Sequence, residues 1–502
     1  MLTHTGLMLN AFKHKFHLLQ RLKSTSTIFA LSSGLGKCGV AVVRVTGPET
    51  KQAIIKLTNL KALPQPRTAL LRSIQHPVSK ETIDKGLVLW FPGPHSFTGE
   101  DSCEFQVHGG LAVINGILDA LGSLPTYKLA EPGEFTRRAF LNGKLDLTKV
   151  EGLADLLNAE TEAQRKQAFL QSEGALSKLY EKWMHALKNS MANVEAYIDF
   201  DETETLEHGI IEEVVKNIES MLKEVTAHLC DGRRGELLRN GVKAVILGEP
   251  NVGKSSLLNL LCQRPASIVT SIPGTTRDVI DVTLNIGGYP LILSDTAGLR
   301  NDTKDVIEVE GISRAKDIYK HADLVILMID LEKYVSWLKK YNLSFVDYIQ
   351  QYTKDIGIPY LLNSNSEVLP TKRFIIVVNK TDLLCNERVK SLSLSNVVKL
   401  SCKSEEGLND LLDTLKKELQ VLCGEPSKEH PSINQMRHRE QLILCQRHLE
   451  KFLNEAAKQQ SADLVIMAEY LRRSLRDFGK LVGTVTSEDI LDVIFREFCI
   501  GK

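Results

Sequence analysis

No acidic residue precedes Glu49, whereas Lys13, Lys15, Arg21 and Lys23 lie among the first residues with several His, Ser and Thr. That excludes an ordinary mixed-charge surface there. A basic, acid-free leader able to form an amphipathic helix reads as a mitochondrial transit peptide over 1–26. Among nine cysteines there is no C-x-x-C pair, which argues against a zinc knuckle and a disulfide framework and for a reducing compartment. No uninterrupted apolar stretch is long enough to cross a bilayer, so no membrane span is expected. Net charge is absent too: 62 basic residues balance 62 acidic ones, so only local patches can attract an RNA. Proline is missing between Pro132 and Pro250 and again after Pro431, which leaves room for long helices.

What is present sorts into units, since 502 residues exceed one ordinary core. From Thr27 to about Lys144, strand patterns at Gly39–Val45 and Gly86–Phe91 and a helix over Leu111–Leu121 predict a small α/β domain. Lys144 to Arg239 has helical patterning, with Leu153, Leu156 and Leu157 as one stripe. Leu464, Met467, Ala468, Leu471, Leu475 and Phe478 make another. The simplest architecture is one helical domain (145–239 and 425–502) with an α/β domain (240–424) inserted in it. Leu331 to Arg373, rich in Tyr, Asn, Ser and Lys, reads as a surface insertion with some helix.

The inserted unit carries the chemistry. Gly248-Glu-Pro-Asn251-Val252-Gly253-Lys254-Ser255-Ser256 follows the apolar strand Val242–Leu247 and opens a helix. Such a loop turns backbone N–H groups and a helix N-terminus toward phosphates; Lys254 reaches the β- and γ-phosphates and Ser255 ligates Mg²⁺. Asp295-Thr296-Ala297-Gly298 follows the strand Leu291–Ser294, placing Asp295 to hold the metal through water and the Gly298 amide at the γ-phosphate. Asn379-Lys380-Thr381-Asp382 ends the strand Phe374–Val378. The Asp382 carboxylate accepts from guanine N1–H and N2–H₂, donors that adenine does not present together. Three motifs in this order predict a Ras-like P-loop GTPase domain with a mainly parallel sheet.

Gly274-Thr275-Thr276-Arg277-Asp278 is the expected switch loop, with Thr276 on Mg²⁺. After Gly298 comes Leu299, where Ras-like switches place a water-orienting Gln. A leucine cannot orient water. Two substitutes are visible: a monovalent cation held by Asn251, and an acid further along, with Asp305, Glu308 and Glu310 as candidates.

Four stretches outside these motifs carry a more specific resemblance: Ser96–Asp101 leading to His108-Gly-Gly110, Pro132–Lys144, Leu145–Leu157, and the terminal Phe498-Cys-Ile-Gly-Lys502. With the GTPase motifs they resemble the TrmE/MnmE family of tRNA-modifying GTPases, in its mitochondrial branch. The resemblance implies a mitochondrial-matrix enzyme that works as a homodimer with an FAD-dependent, MnmG-like partner protein. Together they would place an aminomethyl-type group (taurinomethyl or carboxymethylaminomethyl) on C5 of the wobble uridine of mitochondrial tRNAs. A tetrahydrofolate (5,10-methylene- or 5-formyl-) held by the dimerising N-terminal domain, 27–144, would give the one-carbon unit. GTP hydrolysis would be K⁺-dependent and coupled to pairing of the GTPase domains.

Carried over residue by residue, the resemblance assigns K⁺ to Asn251, Thr270, Ile272 and Thr275, and Glu308 to the water-activating network. Folate falls to Arg44, Glu104, Lys144 and Lys502, and chemistry near that pocket to Cys499. The base-sandwiching loop is Ser401-Cys402-Lys403, where Ala is commoner in the middle. The first loop, Gly34-Leu-Gly36-Lys37-Cys38-Gly39, has less glycine than the family pattern. The alternative reading is a ribosome-assembly or RNA-binding GTPase switch without modification chemistry. Such switches lack the Pro132–Lys144 stretch and Cys499, and this C-terminus has no G-x-x-G loop of a KH module.

Overall fold

The computed structural model describes residues 26–34, 36–200, 209–263, 281–294, 319–357, 372–383, 396–485 and 488–502. The leader therefore lies outside the described residues. So do Thr270, Ile272, Thr275, Thr276, Asp295 to Leu299 and Glu308. Contacts divide the chain into two units. One is made of residues up to 154, 171–222 and 444–502; the other of 155–170 and 223–443.

In the first unit the strands are β1 (Thr27–Leu31), β2 (Cys38–Thr46), β3 (Leu70–Gln75), β4 (Thr82–Phe91), β5 (Ser102–Gly109) and β6 (Tyr127–Leu129). They form one sheet in the order β3-β4-β5-β2-β1-β6. Only β1 and β6 pair in parallel. The helices Thr50–Thr58 and Leu111–Gly122 bring Ile54, Leu57, Ile114, Ile117 and Leu121 into one core with Val43, Val45, Val88 and Phe105. Each such burial contributes about 1.5–3 kcal/mol. Because side chains alternate along a strand, fixing Val43 and Val45 in this core turns Arg44 to the opposite face.

Long helices complete this unit. Ala175–Phe200 packs on Leu464–Val482, with the Trp183 and Phe478 rings 6.0 Å apart. In the second of these helices Met467, Ala468, Leu471 and Phe478 are buried, as the stripe predicts. The other stripe is buried only in part, with Leu153 packed against the core. Along the helix Leu147–Asn158 the buried face carries Leu147, Val150 and Ala154, while Leu157 is exposed. That buried face meets Leu491, Ile494, Phe495 and Phe498, and Leu153 packs at its edge.

The second unit holds β7 (Val242–Leu247), β8 (Asp281–Ile286), β9 (Tyr289–Ser294), β10 (Leu324–Asp330), β11 (Arg373–Asn379) and β12 (Val397–Lys399). Their order is β12-β11-β10-β7-β9-β8, and every pairing is parallel except β8 with β9. A sheet covered on both faces needs near-continuous apolar strands, and β10 is buried along its whole length. Helices Lys254–Cys262 and Leu408–Cys423 cover one face.

The other face corrects the reading of 331–373 as a surface insertion. Its first part forms two helices, Leu331–Tyr341 and Phe345–Asp355, that bury Leu331, Tyr334, Phe345, Tyr348, Ile349 and Tyr352 against β7, β10 and β11. The aromatics recur at helical spacing and supply the apolar face, which a count of Asn, Ser and Lys conceals. Ser344 and Asp347 form a reciprocal capping box that starts the second helix.

Candidate functional site

The phosphate-loop residues leave the C-terminal end of β7 and enter the helix Lys254–Cys262 at Gly253. Gly253 has φ 108°, and any Cβ there would run into the Asn379 amide, so only glycine fits. Asn251 also has positive φ, 62°, and its side chain is exposed. Lys254 curls over the loop, with Nζ donating to the Gly248 and Glu249 carbonyls at 2.9 Å each. Burial lowers its pKa below the ordinary lysine value, and Glu249 opposes that shift. Ser255 and Ser256 are exposed in the first turn of the helix.

The end of β11 joins this loop to the residues expected to read the base. Asn379 Nδ2 donates to the Val252 carbonyl at 2.8 Å, and Asn379 Oδ1 accepts from the Cys402 amide at 3.1 Å. One buried side chain thus ties the phosphate loop, β11 and the Ser401-Cys402-Lys403 loop. Lys380 Nζ meets the Asp330 carboxylate at 2.6 Å. Asp382 is exposed on a short helical turn, Thr381–Leu383, with its Oδ1 accepting from Ser401 Oγ at 2.8 Å. Burial pushes the Cys402 thiol up to about 11, so it stays neutral.

Several partners were not legible in the motifs. The Tyr352 hydroxyl accepts from the Glu249 amide and donates to the Met328 carbonyl, both at 2.8 Å. Lys333 Nζ pairs with the Glu249 carboxylate at 2.5 Å. Asp330 also caps the helix Leu331–Tyr341 by accepting from the Glu332 amide. The aromatic spacing of 334–352 was the signal for Tyr352; nothing in the sequence singles out Lys333.

The N-terminal sheet carries a second cluster. Arg44 on β2 lies in register with Glu104 on β5, and its Nε and Nη2 donate to Glu104 Oε1 at 3.1 and 3.0 Å. The guanidinium also lies 5.5 Å from the Phe97 ring centre and 5.8 Å from that of Phe135. Lys502 belongs to this cluster. Burial first, and then the Arg44 charge, lower its pKa, while Glu104 acts in the opposite direction. The C-terminus reaches the sheet because Ser32 Oγ donates to the Gly501 carbonyl at 2.9 Å. A Cβ on Gly501 would strike the Leu31 carbonyl. Lys144 is exposed and donates to the Pro94 carbonyl at 3.0 Å, with no hydrogen bond to the other three residues. Cys499 is an exposed thiol in the terminal turn that Lys502 N–H closes on the Cys499 carbonyl.

The Pro132–Lys144 stretch has a structural content of its own. Arg138, buried in the helix Glu134–Leu141, pairs with Glu100 at 3.0 Å and Glu134 at 2.9 Å and donates to the Ser26 carbonyl. Gly133, at φ 72°, lets that helix approach the Phe495 carbonyl.

Among the described residues every cysteine is free and no helix is long and apolar enough to cross a membrane. The mainly parallel sheet, the glycine-bearing loop between β7 and its helix, and the Asn379–Asp382 stretch at the end of β11 have the architecture of a P-loop guanine-nucleotide-binding protein. The comparisons narrow this. Residues 147–499 match the model of the MnmE helical domain, and 27–144 match that of the GTP-binding protein TrmE N-terminus. The chain is 50% identical to a zebrafish (Danio rerio) protein named 5-taurinomethyluridine-tRNA synthase subunit GTPB3, mitochondrial, over 95% of this chain and 93% of that one. It is 46% identical to the human protein of the same name, over 95% and 94%. Against the tRNA modification GTPase MnmE of Parvibaculum lavamentivorans it is 44% identical, over 95% and 100%. The chain belongs to the MnmE family of tRNA-modification GTPases.

Proposed function

We propose that this chain is the GTP-hydrolysing subunit of a mitochondrial complex that modifies C5 of the wobble uridine of tRNAs. The observation that carries this reading is one chain holding both a guanine-nucleotide site and, on a separate sheet, the Arg44–Glu104–Lys502 cluster. A GTPase switch has no use for the second. The vertebrate relatives are named for taurinomethyluridine, which favours taurine over glycine as the amine donor. Their mitochondrial names agree with the basic leader.

The donor sets suit the groups the reading requires. In the phosphate loop, amide hydrogens at a helix N-terminus, Lys254 and the Ser255 hydroxyl suit a nucleotide phosphate with Mg²⁺. Asn251, with an exposed side chain in that loop, suits a K⁺ ligand; Thr270, Ile272, Thr275 and Thr276 would complete the two metal sites. Bound cations would supply positive charge against the phosphates, and Glu308 would order the attacking water. Asp382, Asn379 and Lys380 would hold the base. At the N-terminal sheet, Arg44 pairs with Glu104 and the Lys502 charge is felt by both, which suits a folate: cations for its glutamate tail, Glu104 for its pterin N–H groups. The folate would supply the one-carbon unit. Lys144 and Cys499 would act at the rim of that pocket. An FAD-dependent partner and a dimer contact through the GTPase domains complete the proposal.

Mass spectrometry of mitochondrial tRNA from cells lacking the protein tests it. The expected result is loss of the C5 substituent at the wobble uridine, restored by the intact chain. An unchanged modification profile with impaired ribosome assembly would replace this reading with the switch.

A further inference from the structure

The phosphate loop has two kinds of backbone amide. Those at the start of the helix Lys254–Cys262 are available to a ligand. The Glu249 amide is not: it donates to the Tyr352 hydroxyl at 2.8 Å, which donates onward to the Met328 carbonyl on β10. The next residue, Pro250, has no N–H. The entrance of the loop is thus anchored from outside, through the helix Phe345–Asp355. Tyr352 is buried, 3% exposed, so water does not compete for its hydroxyl. The Gly248 carbonyl and Glu249 carbonyl on either side of this anchor both hold Lys254. On the Glu249 side chain, Lys333 from the preceding helix closes a second tie.

We infer that Tyr352 is a positioning residue of the phosphate loop, holding the Glu249 backbone, and through it the two carbonyls that aim Lys254, in the nucleotide-competent shape. Resting on the reading of this loop as the phosphate site, the inference assigns a function to the segment that looked like an insertion. Tyr352→Phe keeps the ring and its packing and removes only the relay. The Glu249 N–H and the Met328 carbonyl then lose their shared partner.

Two measurements on the full chain decide it. In the nucleotide-free protein, hydrogen exchange should find the Glu249 amide already protected, and GDP should add no further protection there. The amides of Gly253 to Ser256 should gain protection with GDP. A Glu249 amide that exchanges freely until GDP is added overturns the inference. The second measurement is binding of a fluorescent GDP to Tyr352→Phe, below the unfolding temperature of both proteins. We expect Kd to rise roughly five- to tenfold, mostly through faster release, and equally for GTP. A role in packing alone would lower the unfolding temperature and leave Kd within twofold, which overturns the inference. If Tyr352→Phe fails to fold, the exchange result stands as the deciding one. If the unaltered chain binds no GDP, the reading of the site fails and the inference fails with it.

Discussion

The Ser401 hydroxyl donates to the Asp382 carboxylate at 2.8 Å while the Ser404 amide donates to the same hydroxyl at 3.1 Å. The carboxylate to which the proposal gives the base is therefore aimed by a residue on a separate loop. Asp382→Asn should weaken GTP binding about 10- to 100-fold, because it replaces a charged acceptor of two donors with a group that is half donor. Ser401→Ala should weaken it less, since Asp382 keeps its charge. Titration calorimetry with GTP checks both; equal affinity of Asp382→Asn and the parent would remove Asp382 from the base-reading role.

Hydrolysis without a glutamine at Leu299 should depend on K⁺. Replacing KCl by NaCl at matched ionic strength should depress turnover far more than GTP binding. Asn251→Ala should erase the difference, and Glu308→Ala should slow hydrolysis without preventing dimerisation. Contributions of this electrostatic kind reach about 10³–10⁵ in rate where arginine fingers supply them. Steady-state phosphate release in the two salts is the measurement.

At the N-terminal sheet, Arg44→Met should abolish binding of a reduced folate and leave GTP hydrolysis near normal. Its loss also removes the direct ion-pair partner of the half-buried Glu104, so Glu104→Gln is the companion variant; it should weaken folate binding with little effect on the unfolding temperature. Cys499→Ser should abolish tRNA modification with hydrolysis intact. Full complementation by Cys499→Ser would leave its thiol without a chemical role.

The His228 imidazole sits near Asp231, His438 and Arg439. Burial first, with the His438 and Arg439 charges, brings its pKa down to about 4 from 6.5, while Asp231 pulls the other way. The unfolded chain therefore binds more protons between those two values, and stability falls as pH drops through that window. The loss across the whole window is on the order of 3 kcal/mol, at about 1.4 kcal/mol per pH unit. His228→Gln should flatten the pH dependence of the denaturant midpoint from pH 7 to 4, values that bracket the shift; an unchanged slope would assign the acid sensitivity to other groups.

Motif spacing and strand pattern foretold β7, β9, β11 and the helix after Gly253, because a doubly covered parallel strand is nearly all apolar and its loop is glycine-rich. The Arg44–Glu104 pair was legible only through the family resemblance. Their contact depends on register between strands far apart in sequence, and no local pattern encodes it. The 331–355 helices were misread because tyrosine serves as core there: the ring of Tyr352 is buried while its hydroxyl finds two backbone partners. Lys333 and Asp330 became visible only once those helices were placed. Lys144 was assigned to the folate cluster and stands outside its hydrogen bonds, at Pro94.

Strand β10 contributes no residue to the nucleotide motifs, yet it lies between β7 and β11. Adjacent strands stand about 4.8 Å apart, so the phosphate loop and the base-reading loop depart from points about 10 Å apart. β10 acts as a ruler. It sets the span between the two handholds before any nucleotide arrives, and Asp330 at its tip grips Lys380 on one of them. Because that spacing is set by backbone hydrogen bonds, the gauge is cut by the sheet itself and is indifferent to which apolar side chains β10 carries.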